Sequence, residues 1–530
     1  MAPPCCHDGR VHRSNDDATD RSNGSPPGPG SDFLQLDIGE APTGGRADWL
    51  TRQLRLALAD GRLPVGSRLP ATRVLAAELR VSRGVITEAY QRLAEDGHTV
   101  GRGRKGTIVV AVPAPSGRPL APRAPAAGTA APHRGVPGPR GPSAEVFPAV
   151  PGPDVYDRLR TAPARIDLTP GMPDLGAFPR GAWLRAERSV LSGLASSHLG
   201  YGDPRGAPAL REAVAGWLAR NRGVHADPAE ILIVTGTAQT LTLLGEVLRE
   251  AGITRVAVED PGSLGARQHL SGRRLGILPV PVDTEGIRVD ALRATGAPAV
   301  LVTPAHQFPT GVVLSGSRRR ELMRWAEETG GLVIEDDYDA EHRYDRPPVP
   351  ALRSMLPQHV VYAGSVSKLL APALRIGWVL APPGHHEALT AAKRFADLGS
   401  AVLPQLVLAR LMESGELERQ LRLLRRRHHR RRDAMIQAMA AQLPGAVVHG
   451  AAAGLHLMVT FDADLDDTEL AAAALAHGVK VQPLSWHTLG GYRPGLVLGY
   501  AANDAGTIRD GVSLLGTALR SLVGRAAAPA

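Results

Sequence analysis

Residues 364–378 read Gly-Ser-Val-Ser-Lys-Leu-Leu-Ala-Pro-Ala-Leu-Arg-Ile-Gly-Trp, and this stretch says most about the chemistry of the chain. Lys368 follows a buried strand predicted at Val360–Ala363. A lysine in a partly desolvated site loses its proton more readily and can form a Schiff base with an aldehyde. The side chains around it that suit a phosphate dianion are those of Ser365, Ser367 and Arg375. The stretch therefore predicts a reactive lysine beside an anion site.

Two upstream segments supply matching chemistry. Residues 332–339, Leu-Val-Ile-Glu-Asp-Asp-Tyr-Asp, place carboxylates at the end of a predicted strand. A carboxylate there, where α/β sheets bind ligands, can pair with a pyridinium nitrogen and keep it protonated. Residues 231–239, Ile-Leu-Ile-Val-Thr-Gly-Thr-Ala-Gln, pass from a strand through glycine into a helix. Free backbone N–H groups at such a helix start form a second part of an anion site.

Short β-branched runs alternate with amphipathic helices from Arg165 onward. Buried strands are predicted at Ile231–Val234, Arg255–Glu259, Ala299–Val302, Leu332–Glu335 and Val360–Ala363, with helices at Ala238–Glu250 and Arg318–Thr329. This alternation predicts an α/β fold with a mostly parallel sheet and helices on both faces.

The N-terminal part has a different pattern, typical of a DNA-binding module. Helices are predicted at Trp49–Ala59, Ala71–Leu79 and Arg83–Glu95. The last two are joined by a tight turn, with Ser82 as N-cap, and make a helix-turn-helix whose second helix would enter the major groove. His98–Val110 is predicted to form a hairpin with a glycine-rich, basic tip. Eleven Lys/Arg against five Asp/Glu over residues 49–110 favour binding to phosphates.

Composition divides the chain into four parts. Residues 1–47 are predicted to form a tail, which is disordered at least through its Ser, Asn, Asp, Gly and Pro-rich portion 1–31. Residues 48–111 form the DNA-binding domain, and residues 112–163, rich in Pro, Ala, Gly and Arg, form a linker. Residues 164–530 form the large domain, which includes a small C-terminal subdomain.

The remaining composition narrows the class of protein. The net charge of +9 over 530 residues agrees with an anionic partner, but weakly. Cys5 and Cys6 are the only cysteines, so neither a disulfide framework nor a four-cysteine zinc site can form, and we expect no metal. No signal peptide or bilayer-spanning run is present, so we expect a cytoplasmic protein without membrane contact. The arginine-rich residues 422–432 are interpreted as an exposed helix of the small subdomain rather than a second nucleic-acid surface.

Residues 61–97, GRLPVGSRLPATRVLAAELRVSRGVITEAYQRLAEDG, closely resemble the winged helix-turn-helix of the GntR family, and the match continues through Gly106-Thr107. The resemblance implies binding to a double-stranded DNA operator. The contact residues that it implies are Arg68, Arg73, Ser82, Arg83 and Thr87, with Arg104 and Lys105 in the wing.

Residues from about 171 to 515 resemble fold-type-I aminotransferases, and specifically the MocR group of GntR regulators. The resemblance is carried by PGMPDLGAFPRGAW (170–183), YGDPRGAPALREAVAGWLARNRGV (201–224), TGTAQTL (235–241), VEDPG (258–262), TPAHQFPTG (303–311), EDDYDAEHRYD (335–345) and SVSKLLAPALRIGW (365–378). It implies a fold-type-I domain that depends on pyridoxal 5'-phosphate (PLP).

The same resemblance assigns a role to each matching residue. Lys368 would bind the cofactor covalently, Asp336 would meet the pyridine nitrogen and Tyr338 the ring hydroxyl. The phosphate would be held by Gly236, Thr237, Ala238, Ser365, Ser367 and Arg375. Tyr201 would reach the phosphate of a partner subunit, because fold-type-I sites form at the interface of a homodimer.

Three positions depart from the patterns of related proteins. Ser263 stands where regulators of this group usually carry a ring-stacking aromatic residue. Val497 stands at about the place where many relatives have an arginine that clamps a substrate carboxylate, and Arg493 is near it in sequence. Phe308 replaces the asparagine of ordinary aminotransferases, as in the MocR pattern. These departures argue against a simple α-amino acid as ligand and against efficient transamination.

The resemblances imply a PLP-dependent transcriptional regulator whose large domain senses an amine, an amino acid or PLP itself. The alternative is an aminotransferase with an accessory DNA-binding domain. A further alternative is a constitutive DNA-binding protein whose large domain only dimerises. Sequence alone leaves the operator, the effector and the sign of regulation open.

Overall fold

The computed structural model describes residues 30–31, 34, 36–42, 45–59, 62–96, 98–101, 106–110, 145–344, 349–450, 453–462 and 465–526. These residues belong to two compact units, an N-terminal one and a much larger C-terminal one. In the described part of the chain, no helix has both the length and the apolar character needed to cross a bilayer.

The N-terminal unit is a helix-turn-helix followed by a two-stranded wing. Its elements are β1 (Gly30–Ser31), β2 (Leu36–Asp37), α1 (Arg46–Ala59), α2 (Thr72–Glu78), α3 (Arg83–Glu95), β3 (Thr99–Gly101) and β4 (Thr107–Val109). β3 and β4 pair antiparallel. The predicted helices and hairpin are confirmed, with α3 beginning and ending at the predicted residues.

A single apolar core holds this unit together. Leu50, Leu54 and Leu58 repeat at helical spacing on α1 and are buried against Leu75 of α2. Leu36 is buried in the same core. The folded unit therefore begins before residue 48, where the sequence had placed its start, because short segments ahead of α1 add apolar side chains without any visible periodicity.

The C-terminal unit alternates strands and helices along most of its length. Its elements are α4 (Val155–Thr161), β5 (Ile166–Asp167), α5 (Arg180–Gly193), α6 (Pro208–Arg222), β6 (Ile231–Val234), α7 (Thr237–Glu250), β7 (Arg255–Asp260), α8 (Leu264–Gly272), β8 (Gly276–Asp283), β9 (Gly286–Ile287), α9 (Val289–Thr295), β10 (Ala299–Val302), α10 (Gly316–Thr329), β11 (Leu332–Asp337), β12 (Val360–Ser365), β13 (Gly377–Leu380), α11 (Pro383–Asp397), α12 (Val402–Glu413), α13 (Glu416–Gln442), β14 (Ala446–His449), β15 (His456–Phe461), α14 (Asp467–Ala476), β16 (Val479–Lys480), β17 (Gln482–Pro483), β18 (Gly495–Gly499) and α15 (Ala505–Ala526).

Eight strands form the main sheet, in the order β6-β13-β12-β11-β10-β7-β8-β9. Neighbours from β12 across to β8 are parallel, whereas β13 runs antiparallel to both β12 and β6. Every residue of β6, β10, β12 and β13 is buried, as expected for strands covered on both faces. The predicted mostly parallel sheet is confirmed, and the carboxyl ends of β6, β7, β10, β11 and β12 meet at one edge.

The small C-terminal subdomain has its own antiparallel sheet, in the order β14-β15-β18-β17. α13, α14 and α15 supply apolar side chains, among them Met435, Leu470 and Leu515, to the core of this subdomain. Val497 of β18 pairs in register with Gln482 of β17 and with Met458 of β15. This pairing fixes which residues of the subdomain lie next to one another.

The segment from residue 145 to residue 163 was predicted as linker, but it belongs to the C-terminal unit. Phe147 is buried and stacks on Trp486, with ring centroids 5.7 Å apart. Trp486 Nε1 donates a hydrogen bond to the carbonyl of Pro148 at 3.0 Å. These contacts could not be predicted from the proline-rich composition. A few aromatic contacts are enough to hold such a segment, and they leave no periodic pattern in the sequence. The rest of the predicted linker, residues 112–144, lies outside the described residues, as do residues 1–29 of the predicted tail.

The interpretation of residues 422–432 as an exposed helix was wrong for one face of that helix. Arg427 and Arg431, on α13, are buried, and each places a nitrogen 2.8 Å from Oδ2 of Asp174. Burial of a guanidinium group requires a partner of this kind. The sequence of an arginine-rich run does not show which of its arginines have a buried carboxylate partner.

Candidate functional site

The carboxyl edge of the main sheet opens into a cavity of about 350 Å³. The structure brings together nine of the ten residues predicted to hold the cofactor. These nine, all lining the cavity, are Gly236, Thr237, Ala238, Asp336, Tyr338, Ser365, Ser367, Lys368 and Arg375. They come from the ends of β6, β11 and β12 and from the loop that follows β12.

Lys368 lies three residues beyond the end of β12 and faces the cavity. Its Nζ donates a hydrogen bond to the carbonyl of Gly171. Burial lowers the pKa of Lys368 below its ordinary value, and the nearby carboxylates of Asp339 and Asp336 partly oppose this shift. A lowered pKa makes the neutral, nucleophilic amine more accessible.

One end of the cavity is built for an anion. Gly236 precedes α7 with φ at +106°, a conformation that side chains rarely adopt. A Cβ built there would lie 3.6 Å from Nη1 of Arg375 and 3.8 Å from Oγ of Ser365. Ser365 Oγ donates to Ser367 Oγ at 2.8 Å. A guanidinium, two hydroxyls and the first backbone N–H groups of α7 therefore surround one glycine-lined space, as a phosphate group requires.

At the ring end, Asp336 stands close to the end of β11. Thr237 Oγ1 donates to Oδ1 of Asp336 at 3.3 Å. Burial, helped by the neighbouring carboxylate of Asp337, raises the pKa of Asp336 to about 7. A cation placed beside this carboxyl would favour its ionised form, so the site suits a protonated ring nitrogen.

Tyr338 is held by a residue that sequence reasoning missed. Its hydroxyl donates to the carbonyl of His306 at 3.1 Å and lies 3.1 Å from Nδ1 of the same residue. His306 Nδ1 is also 2.9 Å from Oδ2 of Asp339. Burial raises the pKa of Tyr338 well above its ordinary value, so its hydroxyl stays protonated. His306 lies within the quoted motif TPAHQFPTG, which was the available signal.

His306, Asp339 and His456 bring one potential metal-ligand atom each to within 4.8 Å of one another. However, His306 Nδ1 already meets the Asp339 carboxylate, and His456 Nε2 lies 3.2 Å from the carbonyl of Pro309. Because these hydrogen bonds account for the arrangement, we assign no metal to it.

The positions that depart from related patterns have clear structural roles. Ser263 caps α8, accepting a hydrogen bond from the N–H of Ala266 at 3.2 Å. Aromatic surface in the cavity comes instead from Phe308 and from Tyr156 of α4. Tyr156 could not have been found from sequence, because it lies in the segment assigned to the linker. Val497 is buried in a small cluster with Phe308.

Two further residues do not join the cavity. Tyr201 is 96% exposed and lies away from the cavity of its own chain. Arg493 is exposed, and its nearest carboxylate partner is Asp462 at 3.9 Å. Neither residue lines the cavity of its own subunit.

The predicted DNA contacts that the structure describes lie on the surface of the N-terminal unit. Those that the structure describes are all exposed, and they are Arg68, Arg73, Ser82, Arg83 and Thr87. Arg68 forms an isolated β-bridge with Ile108 and so lies beside the wing. Arg83 Nε donates to Thr72 Oγ1 at 3.3 Å, which ties the start of α3 to the start of α2. Arg104 and Lys105 lie outside the described residues.

Two protein families account for the two units. Residues 47–109 match the gntR family of bacterial regulatory proteins. Residues 166–508 match the aminotransferase class I and II family. The second match covers well over half of the chain, and the two together leave residues 1–46, 110–165 and 509–530 unassigned.

Solved structures share the fold of the C-terminal unit. α-Aminoadipate aminotransferase LysN from Thermus thermophilus, complexed with N-(5'-phosphopyridoxyl)-L-leucine, is 28% identical with a TM-score of 0.64, covering 73% of this chain and 98% of that one. Kynurenine aminotransferase from Pyrococcus horikoshii, in complex with PMP, is 27% identical with a TM-score of 0.64, covering 70% and 94%.

Curated relatives extend over both units. MocR of Rhizobium meliloti, described as a probable rhizopine catabolism regulatory protein, is 30% identical over 487 residues, covering 91% of this chain and 95% of the relative. The pyridoxine biosynthesis transcriptional regulator PdxR of Corynebacterium glutamicum is 29% identical over 463 residues, covering 87% and 93%. The chain therefore belongs to the aminotransferase class I and II family in its C-terminal unit and, as a whole, to the MocR group of GntR-family transcriptional regulators.

Proposed function

We propose that this regulator binds pyridoxal 5'-phosphate through Lys368 and that its state of loading, or an amine or amino acid bound there, changes its affinity for an operator. The protein would act in the cytoplasm as a homodimer on double-stranded DNA. The observation that carries the proposal is that Lys368, an anion site and a buried carboxyl lie in one cavity, in the arrangement that this cofactor needs.

The donor set fits the cofactor at both of its ends. Arg375, Ser365 and the N-terminus of α7 would hold the phosphate, in a space that Gly236 keeps free of a side chain. Asp336 would pair with the ring nitrogen, because its carboxyl, with a pKa raised to about 7 by burial, gains from a neighbouring cation. Solved relatives carry PMP or a phosphopyridoxyl compound, which supports the same assignment.

When bound, PLP supplies an aldehyde that reacts reversibly with primary amines. The residues of this chain bind it, orient it and respond to it. Lys368 Nζ donates a hydrogen bond to the Gly171 carbonyl, which holds the amine at the cavity wall. A change in operator affinity needs a ligand with different affinities for two states of the protein.

The homodimer in this proposal is supported by exposed side chains of the C-terminal unit. Tyr201, which is 96% exposed, and Phe395, which is 87% exposed, are large apolar groups left in water. A partner subunit packed against these side chains would remove them from water. In a dimer, Tyr201 of one subunit would reach the phosphate end of its partner's cavity.

Absorbance spectroscopy tests the cofactor assignment. Purified protein saturated with PLP should show a visible band, and Lys368→Arg should abolish it because a guanidinium cannot replace the reactive amine. Lys480→Arg is the matched control, since Lys480 pairs with Asp167 outside the cavity. A colourless wild-type protein, or a band that survives Lys368→Arg, would contradict the proposal.

A second candidate function is that of an aminotransferase with an accessory DNA-binding domain. It is favoured by the complete set of Lys368, Asp336 and Tyr338 in the cavity. The two functions differ in turnover. Incubation with an amino donor and a keto-acid acceptor should give a spectral change without multiple turnovers. Sustained product formation would favour the enzyme.

A further inference from the structure

The charges that line the cavity are unevenly distributed. Among the described residues of its wall, the cationic side chains are Lys368 and Arg375. Arg375 faces Gly236 and Ser365 and is therefore committed to the phosphate end. The wall contributed by the small subdomain includes Leu455, His456 and Gln482 instead. A ligand that extends toward this wall meets neutral groups.

A hydrogen-bond chain fixes the orientation of the Gln482 amide. The backbone N–H of Leu264 donates to Nδ1 of His487 at 3.4 Å. With Nδ1 as the acceptor of this hydrogen bond, the neutral ring carries its proton on Nε2. Nε2 lies 3.0 Å from Oε1 of Gln482 and donates to it. Burial lowers the pKa of His487 to about 3, which agrees with a neutral ring that has a proton on one nitrogen only.

It follows that Gln482 offers a donor to the cavity. Its Oε1 is occupied by His487, and within the described part of the chain its Nε2 has no hydrogen-bond partner. His456 is fixed in the same way, because its Nε2 can only donate to the Pro309 carbonyl, at 3.2 Å, which leaves Nδ1 as an acceptor. Burial lowers the pKa of His456 to about 3, so it supplies no positive charge.

This polarity discriminates between ligands. A carboxylate moved from water to a wall without a cation loses hydration that neutral donors only partly replace. A hydroxyl or amide carbonyl loses much less and gains the same hydrogen bond from Gln482. Phe308, Tyr156 and Leu455 add apolar contact surface. The wall therefore suits an apolar or aromatic body that carries a neutral oxygen.

We propose that the effector is a primary amine with an apolar or aromatic body and a neutral oxygen acceptor in place of a carboxylate. Gln482 Nε2 would recognise this oxygen by donating a hydrogen bond to it. The inference deepens the proposed function and rests on it. It also bears on Val497, which pairs in register with Gln482. Because Val497 is apolar, the amide of Gln482 is the polar group at this place.

Three probes with the same body separate the possibilities: L-phenylalaninol, L-phenylalaninamide and L-phenylalanine. Each is titrated into PLP-loaded protein, and the change in the visible band gives an apparent Kd. The two probes without a carboxylate should bind roughly tenfold more tightly than the acid, because all three can accept the hydrogen bond from Gln482 and only the acid brings a charge that this wall does not compensate. Equal or tighter binding of L-phenylalanine, for instance through an arginine from the partner subunit, would overturn the inference. So would a failure of all three to change the band.

Two variants test the residue itself. Gln482→Leu should weaken binding of L-phenylalaninol and L-phenylalaninamide by about three- to tenfold, the loss expected for one hydrogen bond, while Gln482→Arg should reverse the preference in favour of L-phenylalanine. The intrinsic reactivity of each amine cancels because the same probes are compared across variants, with Lys480→Arg as the control. Undiminished binding of the two probes by Gln482→Leu, or an unchanged preference in Gln482→Arg, with the visible bands intact, would overturn the role of Gln482. If wild-type protein shows no band with PLP at all, the proposed function fails first and the inference fails with it.

Discussion

The hydroxyl of Tyr338 is positioned by one residue in two ways, since both the carbonyl and Nδ1 of His306 lie 3.1 Å from it. Asp339, at 2.9 Å, fixes the ring of His306 in turn. We expect Tyr338→Phe to weaken PLP binding by about three- to tenfold, the usual range for one neutral hydrogen bond, and His306→Asn to weaken it less. Apparent Kd values from absorbance titration measure both effects.

A double-mutant cycle shows whether His306 acts through Tyr338. If it does, the variant carrying both changes should bind PLP no more weakly than Tyr338→Phe alone. His359→Asn is the control, because His359 lies at the opposite end of the sheet and contacts the Gly331 carbonyl. Additive losses would show that His306 affects the cavity independently of the tyrosine.

Residues at this scale differed in how far they could be predicted. Lys368 and Asp336 follow buried strands, so their shared position at the sheet edge follows from topology once the strands are recognised. Tyr156 and Gln482 reach the same cavity from segments more than a hundred residues away on either side. Their placement depends on the packing of α4 and of the small subdomain, which no local pattern encodes.

At the scale of elements, the end of α6 is tied to β11 by a buried ion pair. Arg222 Nε lies 2.5 Å from Oδ2 of Asp337, and Tyr362 donates to the same oxygen at 2.6 Å. Asp337→Ala would leave a guanidinium buried without its carboxylate. We expect a loss of about 3–5 kcal/mol in the free energy of unfolding of the C-terminal unit, measured by urea denaturation with tryptophan fluorescence.

An exposed ion pair in the same unit provides the comparison. Arg293 and Glu328 lie 2.6 Å apart, but their side chains are 41% and 56% exposed. Glu328→Ala should therefore cost less than about 1 kcal/mol. Similar losses in Glu328→Ala and Asp337→Ala would mean that burial of Arg222 is not what makes its pair important.

Elements were predicted well where burial imposed a simple pattern. β6 and β10 have the predicted bounds, because strands covered on both faces read as short, uniformly apolar runs. α4 was missed, since a seven-residue helix in a proline-rich segment carries too few turns to show a period. α13 was recognised as a helix, but its buried face was not, because Asp174, the partner of its arginines, is remote in sequence.

At the scale of the whole molecule, regulation is a coupling of two binding equilibria. If PLP changes operator affinity by some factor, the operator must change PLP affinity by the same factor, whatever the structural route. We expect a factor of roughly 5 to 150, measured by fluorescence anisotropy on an operator selected from random double-stranded DNA and by absorbance titration of PLP with and without that DNA.

Two variants should separate the halves of this linkage. Lys368→Arg should remove the effect of PLP but leave the operator affinity of the unloaded protein unchanged. Arg83→Ala should lower operator affinity by roughly tenfold and reduce the salt dependence by about one ion, while PLP affinity without DNA stays the same. Arg83 is exposed at the start of α3, and its replacement removes the hydrogen bond to Thr72 and the proposed DNA contact but no part of the apolar core. A coupling factor of one in wild-type protein would instead indicate a constitutive DNA-binding protein, because a ligand with equal affinity for both states shifts neither.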